Sequence, residues 1–131
     1  MLLDTGSVIT LVSENIWNSL PAKGRLRPTP EKQFRVANGG TLSTRGTAEV
    51  YIEVAGVAVH HPVHVVPQIP HSLCIGVDFL SIHKMDVLIS QGLLTGGGLN
   101  ARLNFIPAEA DIHTVWSQKI SKFRLCTKKV A

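Results

Sequence analysis

The most restrictive feature of this sequence is an aspartate caught between two apolar runs. Met1-Leu2-Leu3 leads into Asp4-Thr5-Gly6-Ser7, and Val8-Ile9-Thr10 leads out again. Any fold that accommodates this stretch must hold a carboxylate at a strand end, where burial of an unpaired charge is unfavourable. Gly6 lets the backbone bend back tightly, Thr5 offers a hydroxyl beside the acid, and Ser7 places a second hydroxyl within reach. This is the chemistry of a positioned, partly desolvated acid, and such acids concentrate at working sites.

Leu3-Asp4-Thr5-Gly6-Ser7 resembles the active-site loop of the retropepsins, the retroviral and retrotransposon aspartic proteases. Two further stretches fit that family in order. Cys74-Ile75-Gly76-Val77-Asp78-Phe79-Leu80 resembles the apolar-apolar-Gly-x-Asp-x-Leu element that runs behind the active-site loop and opens a short helix. Between them, Val36-Ala37-Asn38-Gly39-Gly40-Thr41-Leu42, followed by Gly46, resembles the flap hairpin.

The resemblance implies a mostly β fold: a retropepsin-like, single-lobe closed β-barrel of the acid-protease kind, with a flap hairpin and one or two short helices. It places this domain over residues 1–106 and leaves 107–131 as a basic tail or linker. It also implies an aspartic endopeptidase that processes polyproteins. Asp4, Thr5, Gly6 and Ser7 take the catalytic positions, Ala37, Asn38, Gly39 and Gly40 the flap over the substrate, and Ile75, Gly76 and Asp78 a supporting role. Peptide hydrolysis by this chemistry needs two carboxylates facing one water. With one Asp-Thr-Gly in the chain, the implied partners are a second copy, forming a homodimer in which Asp4 meets Asp4, and a polypeptide substrate. Thr5 then locks the two loops, Gly6 packs closely around the pair, and Ser7 hydrogen-bonds the outer carboxylate oxygen. No cofactor or metal is implied. Members of the family carry strands ahead of the catalytic turn, whereas here three residues precede Asp4; a truncated gene model, a relic or a piece of a longer polyprotein is expected. The alternative is a decayed or domesticated module that dimerises or binds peptide without cutting it.

Composition agrees with one small globular domain. The chain has 131 residues, of which 44% are hydrophobic and 17% charged, enough apolar content for a core and too little charge for disorder. The net charge is +4, but the basic residues are scattered until the tail and no aromatics are interleaved with them, which argues against a nucleic-acid partner. No apolar run reaches the eighteen or so residues of a membrane span. Two distant cysteines, Cys74 and Cys126, do not make a disulfide framework and suit a reducing, cytoplasmic setting.

Along the chain, Val8 to Val12 reads as a strand, and Ser13 as the N-cap of a helix from Glu14 to Leu20 whose Ile16, Trp17 and Leu20 face the core. Gln33 to Ala37 and Thr41 to Val54 are β-type runs around Asn38-Gly39-Gly40, a strong hairpin signal. Ala22 to Pro30 reads as a solvated loop. Gly56 breaks the next pair of strands. In Val57 to Val66, strict alternation puts Val57, Val59, His61, Val63 and Val65 on one face. Histidines in this strand are expected to face solvent rather than to bind zinc, since no Cys or carboxylate stands near to complete a set. Cys74 is expected in the core, Gly76 at a close backbone approach, and Asp78 at a helix start that sends Phe79, Leu80 and Ile82 inward. Met85 to Ile89 and Leu93-Leu94 read as a strand pair, Thr95 to Gly98 as a turn, and Leu103 to Phe105 as a last strand.

Overall fold

The computed structural model describes residues 1–4, 7–20, 26–27, 33–35, 41–67, 69, 71–105, 117–119 and 123–126; for 4, 33–35, 41, 104–105 and 117–119 it describes the backbone alone. The elements are β1 (Leu2–Asp4), β2 (Leu11–Ser13), α1 (Glu14–Ser19), β3 (Gln33–Arg35), β4 (Thr41–Ser43), β5 (Gly46–Val54), β6 (Val57–Val66), β7 (Leu73–Ile75), α2 (Val77–Ile82), β8 (Asp86–Leu88), β9 (Leu93–Gly96), β10 (Leu99–Arg102), β11 (Asn104–Phe105), β12 (Ser117–Lys119) and β13 (Phe123–Cys126).

The longest pairing in the molecule is the hairpin of β5 and β6, in register from Gly46↔Val65 to Val54↔Val57. Its turn is Ala55-Gly56, both at positive φ (50° and 80°), the geometry that matches the twist of a two-residue hairpin. Alternation drives it: Val50, Ile52, Val54, Val63 and Val65 are buried on one face while Glu49 and His60 are exposed on the other. Around this hairpin an eight-stranded sheet curls in the order β11-β12-β1-β7-β2-β6-β5-β13. The valine face packs on Leu3, Val12, Trp17, Leu73, Ile75, Phe79 and Leu94 to make one main core. Each such side chain taken from water is worth about 1.5–3 kcal/mol, so the core rather than any single contact holds the domain together.

Two smaller sheets complete the described structure. β8, β9 and β10 form a meander with Gly97 and Gly98 at positive φ in the β9–β10 turn, which is shorter than the expected Thr95 to Gly98 because Thr95 and Gly96 pair with Asn100 and Leu99 as part of β9. β3 and β4 pair antiparallel through Gln33↔Ser43, Phe34↔Leu42 and Arg35↔Thr41, the stem expected for the flap. Its tip, with Ala37, Asn38, Gly39 and Gly40, lies outside the described residues, as does most of the Ala22 to Pro30 loop.

The mostly β architecture with short helices is the one the sequence leads to, and several local expectations hold. Ser13 caps α1, its hydroxyl accepting from the Ile16 amide at 3.3 Å; Trp17 and Cys74 are buried. Three expectations need correction. Val8 to Val12 is not a continuous strand: β2 starts only at Leu11, because the preceding residues form a bend whose carbonyls are taken by α2. Ile82 does not enter the core but is 62% exposed, since α2 ends there after six residues and Phe79 already fills the inward position. Leu103 to Phe105 supplies β11, yet the chain stays in the sheet beyond it. β12 pairs with both β11 and β1, and β13 lies along β5 from Phe123↔Val54 to Cys126↔Tyr51. Among the described residues no helix is long and apolar enough to cross a membrane.

Candidate active site

The strands on either side of the Asp4 turn do not pair with each other. β7 lies between them, parallel to β1 through Leu2↔Cys74 and Leu3↔Ile75, and antiparallel to β2 through Leu11↔Cys74 and Val12↔Leu73. The turn therefore arches over the end of β7, where the chain passes through Gly76 into α2. Asp4 closes β1, its backbone opposite Ser117, and Leu3 before it is buried to 1% exposure. Thr5 and Gly6 lie outside the described residues. Ser7 is described: its hydroxyl donates to the Ile9 carbonyl at 2.7 Å, which tightens the bend from within.

The arch is fastened to α2 by backbone bonds. A helix start has amides with no partner inside the helix, and Gly76 at the N-cap offers no side chain to receive them. The turn supplies the acceptors instead: Val77 donates to the Ser7 carbonyl at 2.8 Å and Asp78 to the Val8 carbonyl at 3.1 Å. Such an approach requires glycine at position 76, where a Cβ would fall within 3.0 Å of three backbone atoms of Ile9.

Asp78 adds the side-chain half of the clamp. The Thr10 hydroxyl donates to Oδ1 at 2.8 Å and the Thr10 amide to Oδ2 at 3.2 Å, while the Phe79 amide donates to Oδ1 at 2.8 Å. Thr10 is fully buried, and its hydroxyl oxygen also accepts from the Gly76 amide at 3.2 Å. A fourth donor comes from β6: His61 Nε2 stands 3.1 Å from Asp78 Oδ2, and its Nδ1 stands 2.9 Å from His83 Nε2. His61 has no exposed surface, which corrects the expectation that the histidines of this strand face solvent. The rings of His61, Phe79 and His83 pack with centroids 4.8–5.1 Å apart. The His83 imidazole is held below its ordinary value of 6.5 first by burial and then by His61, with Asp78 opposing.

Of the residues singled out by sequence, the structure thus brings Ile75, Gly76 and Asp78 behind the backbone turn that Asp4 and Ser7 flank. With four donors already on its carboxylate, Asp78 has no oxygen left over for a further donor, and its bonds clamp Thr10 and His61 to the start of α2. Sequence reading missed Thr10, His61 and His83. The signal for His61 was present in the alternation that sets it among Val57, Val59, Val63 and Val65. Among the described residues no group of three or more His, Cys, Asp or Glu side chains could hold a metal ion.

Residues 1–82 match the family model described as "gag-polyprotein putative aspartyl protease". No curated protein is matched by sequence. Among solved structures, the chain is similar to the crystal structure of the retroviral protease-like domain of Ddi1 from Leishmania major, at a TM-score of 0.60 and 19% identity. The likeness covers 82% of this chain and 84% of that one, and it concerns the fold.

Proposed function

This chain belongs to the gag-polyprotein aspartyl protease family, and from that premise we propose that it is an aspartic endopeptidase that works as a homodimer. The observation that carries the reading is the construction of the Asp4 turn. A carboxylate at the end of β1 is followed by a bend whose carbonyls and Thr10 are clamped to α2 from behind, the preorganisation that positioned chemistry needs.

Two copies related by a two-fold axis would bring Asp4 to its own counterpart. Two carboxylates that close share one proton and titrate as a unit. The ionised Asp4 removes a proton from a water as that water attacks the scissile carbonyl carbon. The protonated Asp4 gives its proton to the carbonyl oxygen, forming a neutral gem-diol. Collapse of that intermediate breaks the C–N bond as the proton taken from the water passes to the leaving amine and one gem-diol hydroxyl returns its proton to the other Asp4, leaving a carboxylic acid and a pair that again holds one proton. Thr5, Gly6 and Ser7 would shape the loops around the pair. The β3–β4 hairpin, with Ala37, Asn38, Gly39 and Gly40 at its tip, would close over an extended substrate and add strand-like hydrogen bonds. Val8, 77% exposed, and Val77, 41% exposed, sit on the rim of the same turn and suit cover by a second copy. A viral or transposon-type polyprotein is the proposed substrate, and the reducing cytoplasm the proposed setting, in keeping with Cys74 and Cys126 forming no disulfide.

The test is to assay purified wild-type protein and Asp4→Asn against a mixed peptide library at acidic and neutral pH, with a pepstatin-type inhibitor as control. Cleavage by the wild type, lost at least a thousandfold or so in Asp4→Asn while the fold is kept, is expected. Equal cleavage by both rejects Asp4. A folded wild-type dimer that cuts nothing points to a peptide-binding module.

A further inference from the structure

The chain Asp78–His61–His83, sealed from solvent at His61, interrupts the apolar face of β6 that a valine at position 61 would continue. Its hydrogen-bond logic is unusually restrictive. The Asp78 carboxylate receives three other donors and acts as acceptor, so the 3.1 Å contact requires the hydrogen on His61 Nε2. In a neutral His61 ring Nδ1 is then an acceptor, and His83 Nε2 must donate across the 2.9 Å contact. If the pair holds one extra proton, either ring can carry it: a charged His83 still donates from Nε2 to neutral His61, or a charged His61 donates from both nitrogens and His83 Nε2 accepts, with no heavy atom displaced. A second proton would set N–H against N–H at the same distance. The arrangement therefore admits no extra proton or one, and never two.

The pair is connected to the Asp4 turn by contacts already described. Asp78 holds Thr10 by two bonds, and the first two amides of α2 hold Ser7 and Val8. We propose that His61 and His83 form a proton-limited positioning couple that ties β6 to α2, keeps Asp78 clamped on Thr10, and lets go of the Asp4 turn when both rings become charged. Only its effect on activity rests on the reading of Asp4 as catalytic; the coupling itself does not.

The surroundings favour a response to acid. His83 is half-buried, so protons reach the couple from its end, whereas His61 is sealed. Burial of His83 and the nearby His61 and His60 rings disfavour its charge, and Asp78 alone favours it. On β5, Glu49 lies 3.5 Å from His60 and the Tyr51 ring packs against that imidazole at a tilt, centroids 4.8 Å apart, which engages His60 on the outer face; Lys84 follows His83 in the chain. A histidine whose folded value lies below 6.5 contributes stability that is complete above 6.5 and is lost as pH falls through the folded value. The first extra proton is thus disfavoured but accommodated, and the couple should hold at neutral pH and weaken as acid drives the pair toward a second.

The experiment compares wild type with His83→Gln, whose side-chain amide can still donate to His61 Nδ1 but cannot titrate. Urea midpoints are measured at about pH 7.5 and about pH 5.5, the range over which an imidazole changes charge. Nitrogen-detected imidazole spectra of the wild type give the tautomers, and kcat/KM is followed against pH. The wild-type midpoint should fall on acidification by clearly more than that of His83→Gln, and neutral His61 should show Nε2–H. The acid limb of kcat/KM should move to lower pH in His83→Gln. Equal midpoint shifts in the two proteins, or a neutral His61 with its hydrogen on Nδ1, overturn the couple. If His83→Gln does not fold, the wild-type tautomers decide alone. If stability behaves as expected but the acid limb does not move, the link to the Asp4 turn is rejected. If the wild type cleaves nothing, the protease reading fails while the midpoints and spectra still decide the couple.

Discussion

Gly76 shows how much a single position can carry in this site. It sits where β7 becomes α2, and the backbone of Ile9 runs so near that there is no room for a methyl group. Because the clash would be with main chain and not with a flexible side-chain end, relief requires moving the arch or the helix. Gly76→Ala is expected to destabilise the domain by about 2–4 kcal/mol, in the range of the larger single-residue effects. Activity should fall further than the folded fraction does, since the displaced segment bears Ser7 and Thr10; urea unfolding alongside peptide hydrolysis measures both. The glycine and its close approach could be read from the sequence, and so could Asp78 as a structural acid. The partners of Asp78 could not. Thr10 was absorbed into an apolar run. His61 was judged by residue type, although its place in the alternation pointed inward, and His83 meets it only because α2 turns back toward β6.

At the level of elements, the β5–β6 hairpin has one locally unfavourable choice. Ala55 adopts φ 50° in a turn whose two residues both require positive φ, and Gly56 is at ease there while alanine is not. Asn tolerates that region better, so Ala55→Asn should raise stability by about 0.5–1 kcal/mol without touching the core. A shift of the urea midpoint to higher concentration checks it, and an unchanged or lower midpoint would show that the turn is not strained. Hairpins and helix caps were legible because their signals are short: Gly56, Ser13 and Gly97-Gly98 fix local geometry by themselves. The extent of β2 was not legible, because its β-branched run from Val8 contains nothing to show that the carbonyls of Ser7 and Val8 are claimed by a helix seventy residues further on.

For the whole molecule, the sheet has two ends, β11 and β13, and an apolar rim at Val8 and Val77 beside the Asp4 turn. If that rim is covered by a second copy, a buried charge there is unfavourable, whereas in a monomer it would stay in water. Val8→Glu should leave the urea midpoint of a dilute sample nearly unchanged and weaken self-association by roughly tenfold or more, as burying an uncompensated charge at an interface does. Sedimentation over a concentration series measures it; equal association by Val8→Glu and wild type would remove Val8 from the interface. The barrel-like architecture was readable from three motifs in order. The participation of Ser117–Lys119 and Phe123–Cys126 was not, because an all-polar Ser-Gln-Lys strand and a four-residue Phe-Arg-Leu-Cys strand leave too short an alternation to separate from a basic tail.

The insertion of β7 between β1 and β2 also sets an order of events in time. As the chain leaves the ribosome, Asp4 and its neighbours emerge ahead of the strand that must lie between their two arms, which follows about seventy residues later, and the Thr10–Asp78 bond closes a separation of 68. At synthesis rates of about 5–20 residues per second that interval is on the order of ten seconds. Until then the carboxylate stands on an unorganised segment, since loop closure over such a distance is slow and cannot be replaced by local contacts. The Asp4 turn is thus left unorganised until synthesis has passed Asp78, a delay written into the threading of one three-residue strand.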